Sequence, residues 1–568
     1  MNVELSRRRL LALGVAVPAA TILGALSTTS ALATALPAAA SAFSSIAPDR
    51  LADTRANAAV VGFTRLDSST IRVQVAGRLG VPSTATAAVL NITVTNTRTP
   101  GYVTVYPAGT GRPEASNVNI DYVGQTIPNL VTVQLGAGGA VDIFADTLSD
   151  LVVDINGAYT PVTGAVSGGR FVALAVADRA LDTRIRNYKI GALQTERVDV
   201  ARSVPAGATA VVLNLTMVDS TGAGHWTAFP SGAAMPKSSN LNADGVGQIR
   251  ANQAIVPIGT VGAIRGFDIF SAAGGHLVAD VAGYFTGPAA PVSTDGLFVP
   301  NAPDRRLDTR RSGSYGRMYP GWTAEFDYSG RPSSQAVVVN ITTTQTRGIG
   351  HFTAYAARTR IPTASNLNAT YVNQTIANHA IVPCSNAGIA VFTAGGGHLI
   401  GDVAGYFTGL PVAATLAPAT NVVPPPPVGP ELPYTLRVPK LSLTGTVLEG
   451  VADATVNAGY IGHWPGTGKA GENNHIVVFA HRTEHGGIFR RINEIGPGDI
   501  FSLTSSDGSR VFNYLYNRRD ITSSTPADIY AAASLVPAPT LSLVACSRTN
   551  FLPTDINYRI VVTGTLME

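Results

Sequence analysis

A chain of 568 residues is too long for one hydrophobic core, so the sequence predicts several domains. Only 13% of the residues are charged, and 58 Gly and 36 Pro divide the chain into short apolar runs, which indicates an all-β protein. The formal net charge of +4 is small for this length and argues against a nucleic-acid partner, which would require clustered basic residues.

The first 42 residues have the order of an export signal. Arg7, Arg8 and Arg9 precede an apolar stretch that reaches about Leu26, and small-residue motifs follow at 31–33 and 40–42. This order is typical of a secretory signal, and the arginine pair resembles a twin-arginine signal. The sequence therefore predicts an exported protein that is extracellular or associated with the cell envelope. A cleaved signal is the favoured interpretation, and an uncleaved N-terminal membrane anchor is the alternative.

Residues 43–163, 164–289 and 290–411 are three copies of one module. Asp-Thr-Arg recurs at 53–55, 182–184 and 308–310, and an Asp-x-x-Gly-x-Tyr/Phe strand closes each copy at 154–159, 280–285 and 402–407. Short alternating strands between Gly, Pro, Asn and Ser turns predict a β-sandwich-like fold for each module. The repeated Asp and Arg are interpreted as a buried ion pair or as turn-fixing hydrogen bonds rather than as a ligand site.

Two further features recur in the modules. Each module has one asparagine in a sequon, and we interpret these three asparagines as strand-end residues: Asn91, Asn214 and Asn340. The segments around His225 and His351 contain Trp or Phe that could contact a glycan, although core packing of these rings is favoured. The modules resemble β-rich repeats of secreted actinobacterial cell-surface proteins, and this resemblance implies no particular activity.

Residues 412–433 form a Pro-rich linker, and a different domain follows at 434–568. The prolines favour an extended polyproline segment. The Asp-Thr-Arg pattern does not recur after this segment, while the short-strand rhythm of an all-β domain continues.

Three chemically reactive side chains stand at or near strand ends in this last domain. A buried strand at 474–480 precedes His481, a second at 541–545 precedes Cys546, and the alternating final strand at 558–566 carries Arg559. A thiolate can attack a carbonyl carbon, an imidazole can protonate a departing amine, and a guanidinium can stabilise an oxyanion. These three residues are the predicted catalytic set of a cysteine enzyme.

The last domain resembles the class E sortases along its whole length. The resemblance rests on residues 462–467, 471–474, 476–483, 487–492, 496–499, 542–546 and 558–562. It implies an eight-stranded sortase β-barrel and cleavage of a Leu-Ala/Pro-x-Thr-Gly-type sorting signal between Thr and Gly. It also implies a thioester on Cys546 that passes to an amine, usually of a cell-wall peptide. The implied partners are sorting-signal peptides of exported proteins and this amine acceptor.

The sequence departs from the family pattern Thr-Leu-x-Thr-Cys beside the cysteine, where Ser542 and Ala545 replace the two threonines. The missing hydroxyl at 545 is expected to remove a substrate hydrogen bond worth on the order of 1 kcal/mol. The alternative function is therefore an adhesin-like surface or binding protein with a degenerate sortase module. The order and spacing of His and Cys disfavour papain-like peptidases and L,D-transpeptidases.

The remaining candidate residues receive structural interpretations. Cys384 is interpreted as a buried core thiol, and no disulfide framework is predicted because Cys384 and Cys546 lie in different modules. Arg548 competes with Arg559 for the oxyanion role, and the strand motif favours Arg559. No His, Cys and Asp have metal-ligand spacing, so neither a metal nor an organic cofactor is predicted. Three other histidines of the last domain are interpreted as loop or surface residues: His463, His475 and His485.

Overall fold

The computed structural model describes residues 36–328, 334–422, 431–548, 551 and 557–567. The chain divides into two compact units, Met1–Asn421 with the three repeats and Val422–Glu568 with the last domain. Residues 1–35 of the predicted export signal and residues 423–430 of the predicted linker lie outside the described residues. No helix among the described residues is long and apolar enough to cross a membrane.

Each repeat consists of antiparallel strands whose bounds follow the apolar runs of the sequence. The first repeat contains β1 (Ser41–Asp53), β2 (Phe63–Arg65), β3 (Thr70–Gln74), β4 (Ala87–Thr95), β5 (Gly101–Pro107), β6 (Val118–Ile120), β7 (Ile127–Gln134), β8 (Ala140–Ala145) and β9 (Asp150–Pro161). The second contains β10 (Phe171–Asp182), β11 (Gln194–Asp199), β12 (Ala208–Val218), β13 (Gly224–Pro230), β14 (Leu241–Ala243), β15 (Arg250–Pro257), β16 (Gly259–Val261), β17 (Ile264–Ser271) and β18 (His276–Thr286). The third contains β19 (Phe298–Asp308), β20 (Thr323–Phe326), β21 (Ser334–Thr344), β22 (Gly350–Ala356), β23 (Leu367–Ala369), β24 (Ile376–Pro383), β25 (Ile389–Thr393) and β26 (His398–Thr408).

The strands of each repeat form two sheets that enclose an apolar core. In the first repeat the sheet orders are β1-β9-β4-β7 and β2-β3-β8-β5-β6, and apolar residues of both sheets, such as Ile92 and Val105, fill the space between them. The second repeat places β10-β18-β12-β15 against β11-β17-β13-β14, and the third places β19-β26-β21-β24 against β20-β25-β22-β23. The prediction of sandwich-like repeats is confirmed.

The three repeats also share a second core, built from the aromatic residues of their sequence motifs. Buried rings form three pairs, each joining one repeat to another: Phe43 with Phe285 (4.1 Å between ring centroids), Phe171 with Phe407 (4.6 Å) and Phe298 with Tyr159 (4.3 Å). The motif glycine makes room for these rings, because a Cβ on Gly157 would lie 2.3 Å from a ring carbon of Phe43. The pairs link the first repeat to the second, the second to the third and the third to the first, so they close a ring.

Buried asparagines follow the same closed path. Each donates a hydrogen bond from Nδ2 to a main-chain oxygen of another repeat: Asn91 to Ser239 (2.9 Å), Asn214 to Ser365 (2.5 Å) and Asn340 to Ser116 (2.7 Å). These are the sequon asparagines, and they lie in the middle of β4, β12 and β21. Their interpretation as strand-end residues is wrong. A buried mid-strand amide is tolerated here because the neighbouring repeat supplies its hydrogen-bond acceptor.

The Asp-Thr-Arg tripeptide forms an ion-pair cluster in each repeat. In the first repeat, Nη2 of Arg55 lies 2.6 Å from a carboxylate oxygen of Asp53, and Arg50 bridges Asp53 and Asp154. Equivalent clusters surround Asp182 and Asp308. The interpretation as a structural ion pair is confirmed.

Core packing also accounts for the other repeated rings and for the first cysteine. Trp226 and Phe352 are buried within their own repeats, as the sequence analysis favoured. Cys384 is buried as well, and this burial raises the pKa of its thiol to about 12. The thiol is therefore protonated at neutral pH.

Two segments beyond the sequence boundaries of the repeats belong to the repeat unit. Strand β1 begins at Ser41, and Ala40 is fully buried in the core of the third repeat, so both fall within the stretch assigned to the export signal. Residues 412–421 of the predicted linker are hydrogen-bonded to the third repeat, for example from the main-chain N–H of Thr415 to Arg358 and from Asn421 to Thr323.

The last domain is a closed barrel of eight strands. Its elements are β27 (Tyr434–Val438), β28 (Leu443–Glu449), α1 (Asp453–Val456), β29 (Ile461–His463), β30 (His475–Phe479), β31 (Ile500–Ser505), β32 (Val511–Ser523), α2 (Pro526–Ala533), β33 (Thr540–Ser547) and β34 (Tyr558–Leu566). Around the barrel the order is β27-β28-β29-β30-β33-β34-β32-β31, with parallel pairing of β28 with β29 and of β30 with β33. The prediction of an eight-stranded barrel is confirmed.

Candidate active site

Cys546 lies near the end of β33, directly opposite Arg559 of β34 in the strand register. Side chains alternate along a strand, and the residue before the cysteine, Ala545, faces the barrel core. The thiol therefore projects from the other side of the barrel wall, where Cys546 is half-buried. Directly opposed residues in an antiparallel pair hold their side chains on the same face, so the thiol and the guanidinium share this surface.

Arg559 is half-buried and lies against an aromatic ring. Its guanidinium carbon is 5.8 Å from the ring centroid of Phe479, the last residue of β30, and Nη1 donates to the main-chain oxygen of Tyr558 at 2.9 Å. A cation over an aromatic face is electrostatically favourable. This contact holds the guanidinium above the end of β30, beside the segment that carries the histidine.

His481 follows β30 by two residues, as the sequence analysis placed it. Its Nε2 shares a hydrogen bond of 2.7 Å with Oδ1 of Asn457, the residue that caps the C-terminus of α1. The ring centroid of His485, an exposed turn residue, lies 5.0 Å from that of His481. The imidazole is thus held by α1 on one side and bordered by a second imidazole.

One cleft of about 510 Å³ brings the three predicted residues together: Cys546, His481 and Arg559 all line it. Its other lining residues come from α1, α2 and the neighbouring strands and loops: Val451, Asp453, Val456, Trp464, Phe479, Arg482, Thr483, Glu484, Ser524 and Ile529. Arg548 is exposed and does not line this cleft. The arrangement places a thiol, an imidazole and a guanidinium around one concave, partly apolar space, where these groups could act together on one ligand.

Two of the three remaining histidines differ from their sequence interpretation. His463 lies in β29, and its buried ring bonds Oε2 of Glu449 and the main-chain oxygen of Gly468, each at 2.9 Å. His475 is a strand residue of β30 whose Nδ1 lies 2.8 Å from Oγ1 of Thr540. The interpretation as a loop or surface histidine is wrong for His463, because its ring is buried. His475 is half-buried and lies in a strand rather than in a loop.

The residues that depart from the family pattern lie away from the cleft. Ala545 is 0% exposed and packs in the barrel core, so a threonine hydroxyl at this position would face the interior rather than a substrate. Ser542 is also buried, and its Oγ lies 2.8 Å from Oγ1 of Thr563 on the neighbouring strand. The expected loss of a substrate hydrogen bond at Ala545 is therefore wrong. The departure gives no support to a degenerate module.

The sequence analysis missed Arg482. This residue follows His481 directly, is buried, and donates from Nη1 to the main-chain oxygen of Cys546 at 3.3 Å. Its position in a polar turn gave no indication of burial. The adjacency to His481 was the one signal in the sequence that could have selected it.

The described residues contain no group of three or more His, Cys, Asp or Glu that could hold a metal ion.

None of the curated proteins matches the chain. Several solved sortase structures are similar to its last domain. Sortase E1 from Streptomyces coelicolor, with a tripeptide in the active site, is 23% identical over 24% of this chain and 87% of that chain, with a TM-score of 0.21. Sortase C-1 from Actinomyces oris is 21% identical over 24% of this chain and 73% of that chain, with a TM-score of 0.20. The Clostridium perfringens sortase D5 transpeptidase is 24% identical over 24% of this chain and 79% of that chain, with a TM-score of 0.20.

Residues 436–567 match the family model of the Sortase domain, which spans the whole eight-stranded barrel. Residues 436–567 of this chain therefore form a Sortase domain.

Proposed function

We propose that this protein is an exported transpeptidase in which Cys546 is the nucleophile, His481 the proton donor and acceptor, and Arg559 the oxyanion-stabilising cation. The observation that carries the proposal is the presence of these three side chains around one cleft of a sortase domain. The proposed substrate is a sorting signal of the Leu-Ala/Pro-x-Thr-Gly type, and the proposed acceptor is an amine of a cell-wall peptide.

In the first step the Cys546 thiolate attacks the carbonyl carbon of the threonine. Negative charge develops on the carbonyl oxygen, where the N–H groups of Arg559 can stabilise it. The bond between this carbon and the glycine nitrogen then breaks, and protonated His481 gives a proton to the departing amine. The products are a thioester between the threonine and Cys546, and a free peptide that begins with glycine.

In the second step an amine attacks the thioester carbon. His481, now neutral, accepts the proton that the attacking nitrogen loses, and Arg559 again stabilises the oxyanion. The carbon–sulfur bond breaks and Cys546 leaves as a thiolate. The result is a new amide bond between the threonine and the acceptor, with the thiolate and the imidazolium restored.

The shape and lining of the cleft support a peptide substrate. Its volume of about 510 Å³ lies in the ordinary range for ligand sites. Trp464, Phe479 and Ile529 form an apolar wall beside Cys546 that suits the Leu and the Ala or Pro side chains of the proposed signal. The export signal predicted at 1–42 supports action outside the cytoplasm, where sorting signals and cell-wall amines meet.

The test uses the full chain with a Leu-Ala-x-Thr-Gly peptide and an amine acceptor, and measures both cleavage and amide formation. We expect both products with the unchanged protein and neither with Cys546→Ala. Cys384→Ala is the matched control and should retain full activity, because its thiol is buried and protonated in the repeat region. If the unchanged protein neither cleaves nor forms a thioester with any sorting-signal peptide, the domain is a degenerate binding module.

A further inference from the structure

Arg482 is a buried cation that is hydrogen-bonded to the main chain of Cys546, the proposed nucleophile. The residue is 2% exposed although it belongs to the polar turn after His481. Its Nη1 donates to the main-chain oxygen of Cys546 at 3.3 Å, to Oγ of Ser547 at 3.4 Å and to the main-chain oxygen of Phe551 at 3.0 Å. One side of the guanidinium therefore holds the end of β33 and the chain that follows it.

The other side of the guanidinium holds the segment that follows the histidine turn. Nη2 donates to Oδ1 of Asn493 at 2.7 Å and to the main-chain oxygen of Arg490 at 3.4 Å. Arg482 is thus bonded both to the strand that carries Cys546 and to the region next to the turn that carries His481. It couples the positions of the two residues.

None of these acceptors is ionised, and among the described residues no aspartate or glutamate forms an ion pair with Arg482. Burial lowers the pKa of the guanidinium, while the ionised thiol of Cys546 acts in the opposite direction. A buried cation without a counter-ion is destabilising. An ionised Cys546 thiol offsets part of this cost, because it attracts the guanidinium electrostatically.

We propose that Arg482 is a positioning residue for Cys546, which fixes the end of β33 and stabilises the thiolate with a buried positive charge. This inference rests on the proposed role of Cys546 as nucleophile. It gives the two arginines of the site different tasks. Both arginines line the cleft, but Arg559 is half-buried and faces it from β34, whereas Arg482 is buried and is hydrogen-bonded to the main-chain oxygen of Cys546.

The test measures the rate of iodoacetamide alkylation of Cys546 against pH, in the full chain carrying Cys384→Ala. Arg482→Gln removes the charge and keeps an amide donor, whereas Arg482→Lys keeps the charge and loses the forked geometry. We expect the pH midpoint of alkylation to rise by about one unit in the Gln variant, the scale of shift that a nearby charge produces. The Lys variant should keep a midpoint near that of the unchanged chain.

Arg548→Gln is the matched control, since it removes an exposed arginine that lies two residues after Cys546. Its midpoint should not move. The inference is overturned if folded Arg482→Gln has the same midpoint as the control. It is also overturned if both Arg482 variants fail to fold, because the residue then serves the fold alone.

Alkylation needs no sorting signal, so this experiment is independent of the transpeptidation assay. A chain that cleaves no sorting signal and still shows the midpoint shift would refute the proposed substrate and support the role of Arg482. A chain that cleaves the signal and shows no shift would support the proposed function and refute the role of Arg482.

Discussion

Nε2 of His481 and Oδ1 of Asn457 are 2.7 Å apart, which ties the catalytic imidazole to the end of α1. An amide oxygen can accept a hydrogen bond only from a protonated Nε2, so this contact suits both the imidazolium and the tautomer that leaves Nδ1 free. Asn457 therefore engages Nε2, and in the proposed reaction Nδ1 is the nitrogen that exchanges protons.

Replacing Asn457 by Ala should lower kcat for peptide cleavage by about fivefold, because one hydrogen bond worth about 1 kcal/mol holds the ring in its reactive orientation. Steady-state kinetics with a sorting-signal peptide would measure the loss. Asn517→Ala, at an exposed asparagine of β32 outside the cleft, should leave kcat unchanged. Equal kcat values for the two variants would contradict the orienting role.

The two arginines near Cys546 should differ sharply in their effect on catalysis. Arg559→Lys is expected to lower kcat by roughly 100-fold, since it removes the forked donor that faces the oxyanion. Arg548→Lys should have no effect, because Arg548 is exposed and does not line the cleft. Both variants should keep the thermal stability of the unchanged chain. A larger loss of kcat at 548 than at 559 would reverse the assignment.

Tyr159 offers a stability test of the shared core. Its hydroxyl is buried without a hydrogen-bond partner among the described residues, and burial raises its pKa. The equivalent positions of the other repeats are Phe285 and Phe407, whose rings fit the same place. Tyr159→Phe should therefore raise the free energy of unfolding by about 1 kcal/mol, since it removes a desolvated polar group. Urea unfolding would measure the gain.

The matched change is Phe285→Ala, which removes one ring from the same core and should cost roughly 3 to 5 kcal/mol. If Tyr159→Phe proved destabilising by a similar amount, the hydroxyl would have to make a bond that the structure does not contain.

His379 should make the repeat unit sensitive to acid. Its ring lies buried between Oε1 of Gln253 and Oγ1 of Thr132, and burial lowers its pKa from an ordinary value of 6.5 to about 3. Between these two values the unfolded chain binds a proton that the folded chain does not, so stability falls as the pH falls from 6.5 towards 3. The slope of this contribution is about 1.4 kcal/mol per pH unit.

His379→Gln removes this group and introduces the side chain found at the equivalent position 253. The free energy of unfolding of the two proteins should be compared at pH 7, 5.5 and 4. We expect the free energy of unfolding of the variant to rise relative to that of the unchanged protein as the pH falls. Parallel curves would show that His379 is protonated in the folded protein or that it does not titrate in this range.

The three residues that meet in the cleft were predictable because strand ends leave a local signature. Apolar runs end at His481 and Cys546, and the alternation of β34 carries Arg559 to the same surface. The same alternation, applied to β33, places Ala545 on the opposite side from Cys546, so its position in the core was also within reach of the sequence. The burial of Arg482 was not, because it depends on Cys546 and Phe551, which lie more than 60 positions away in the chain.

The closed path of contacts between the three repeats could not be predicted from the sequence either. The module pattern predicts a sandwich for each copy, since strands and turns are local features. Contacts such as those of Asn91 with Ser239 and of Phe43 with Phe285 join residues more than a hundred positions apart, and no periodicity announces them. The burial of the sequon asparagines became understandable only once their acceptors in other repeats were visible.

The closed path of the repeats has a consequence for how this protein can change in evolution. An open array can gain or lose a unit at its end, because each unit contacts only its neighbours. Here Asn340 of the last copy returns to Ser116 of the first, so neither copy is terminal. A fourth copy would find no free interface between repeats. The loss of one copy would expose the two interfaces that it forms with the other copies. The modules can therefore diverge from one another in sequence, while a change in their number is disfavoured.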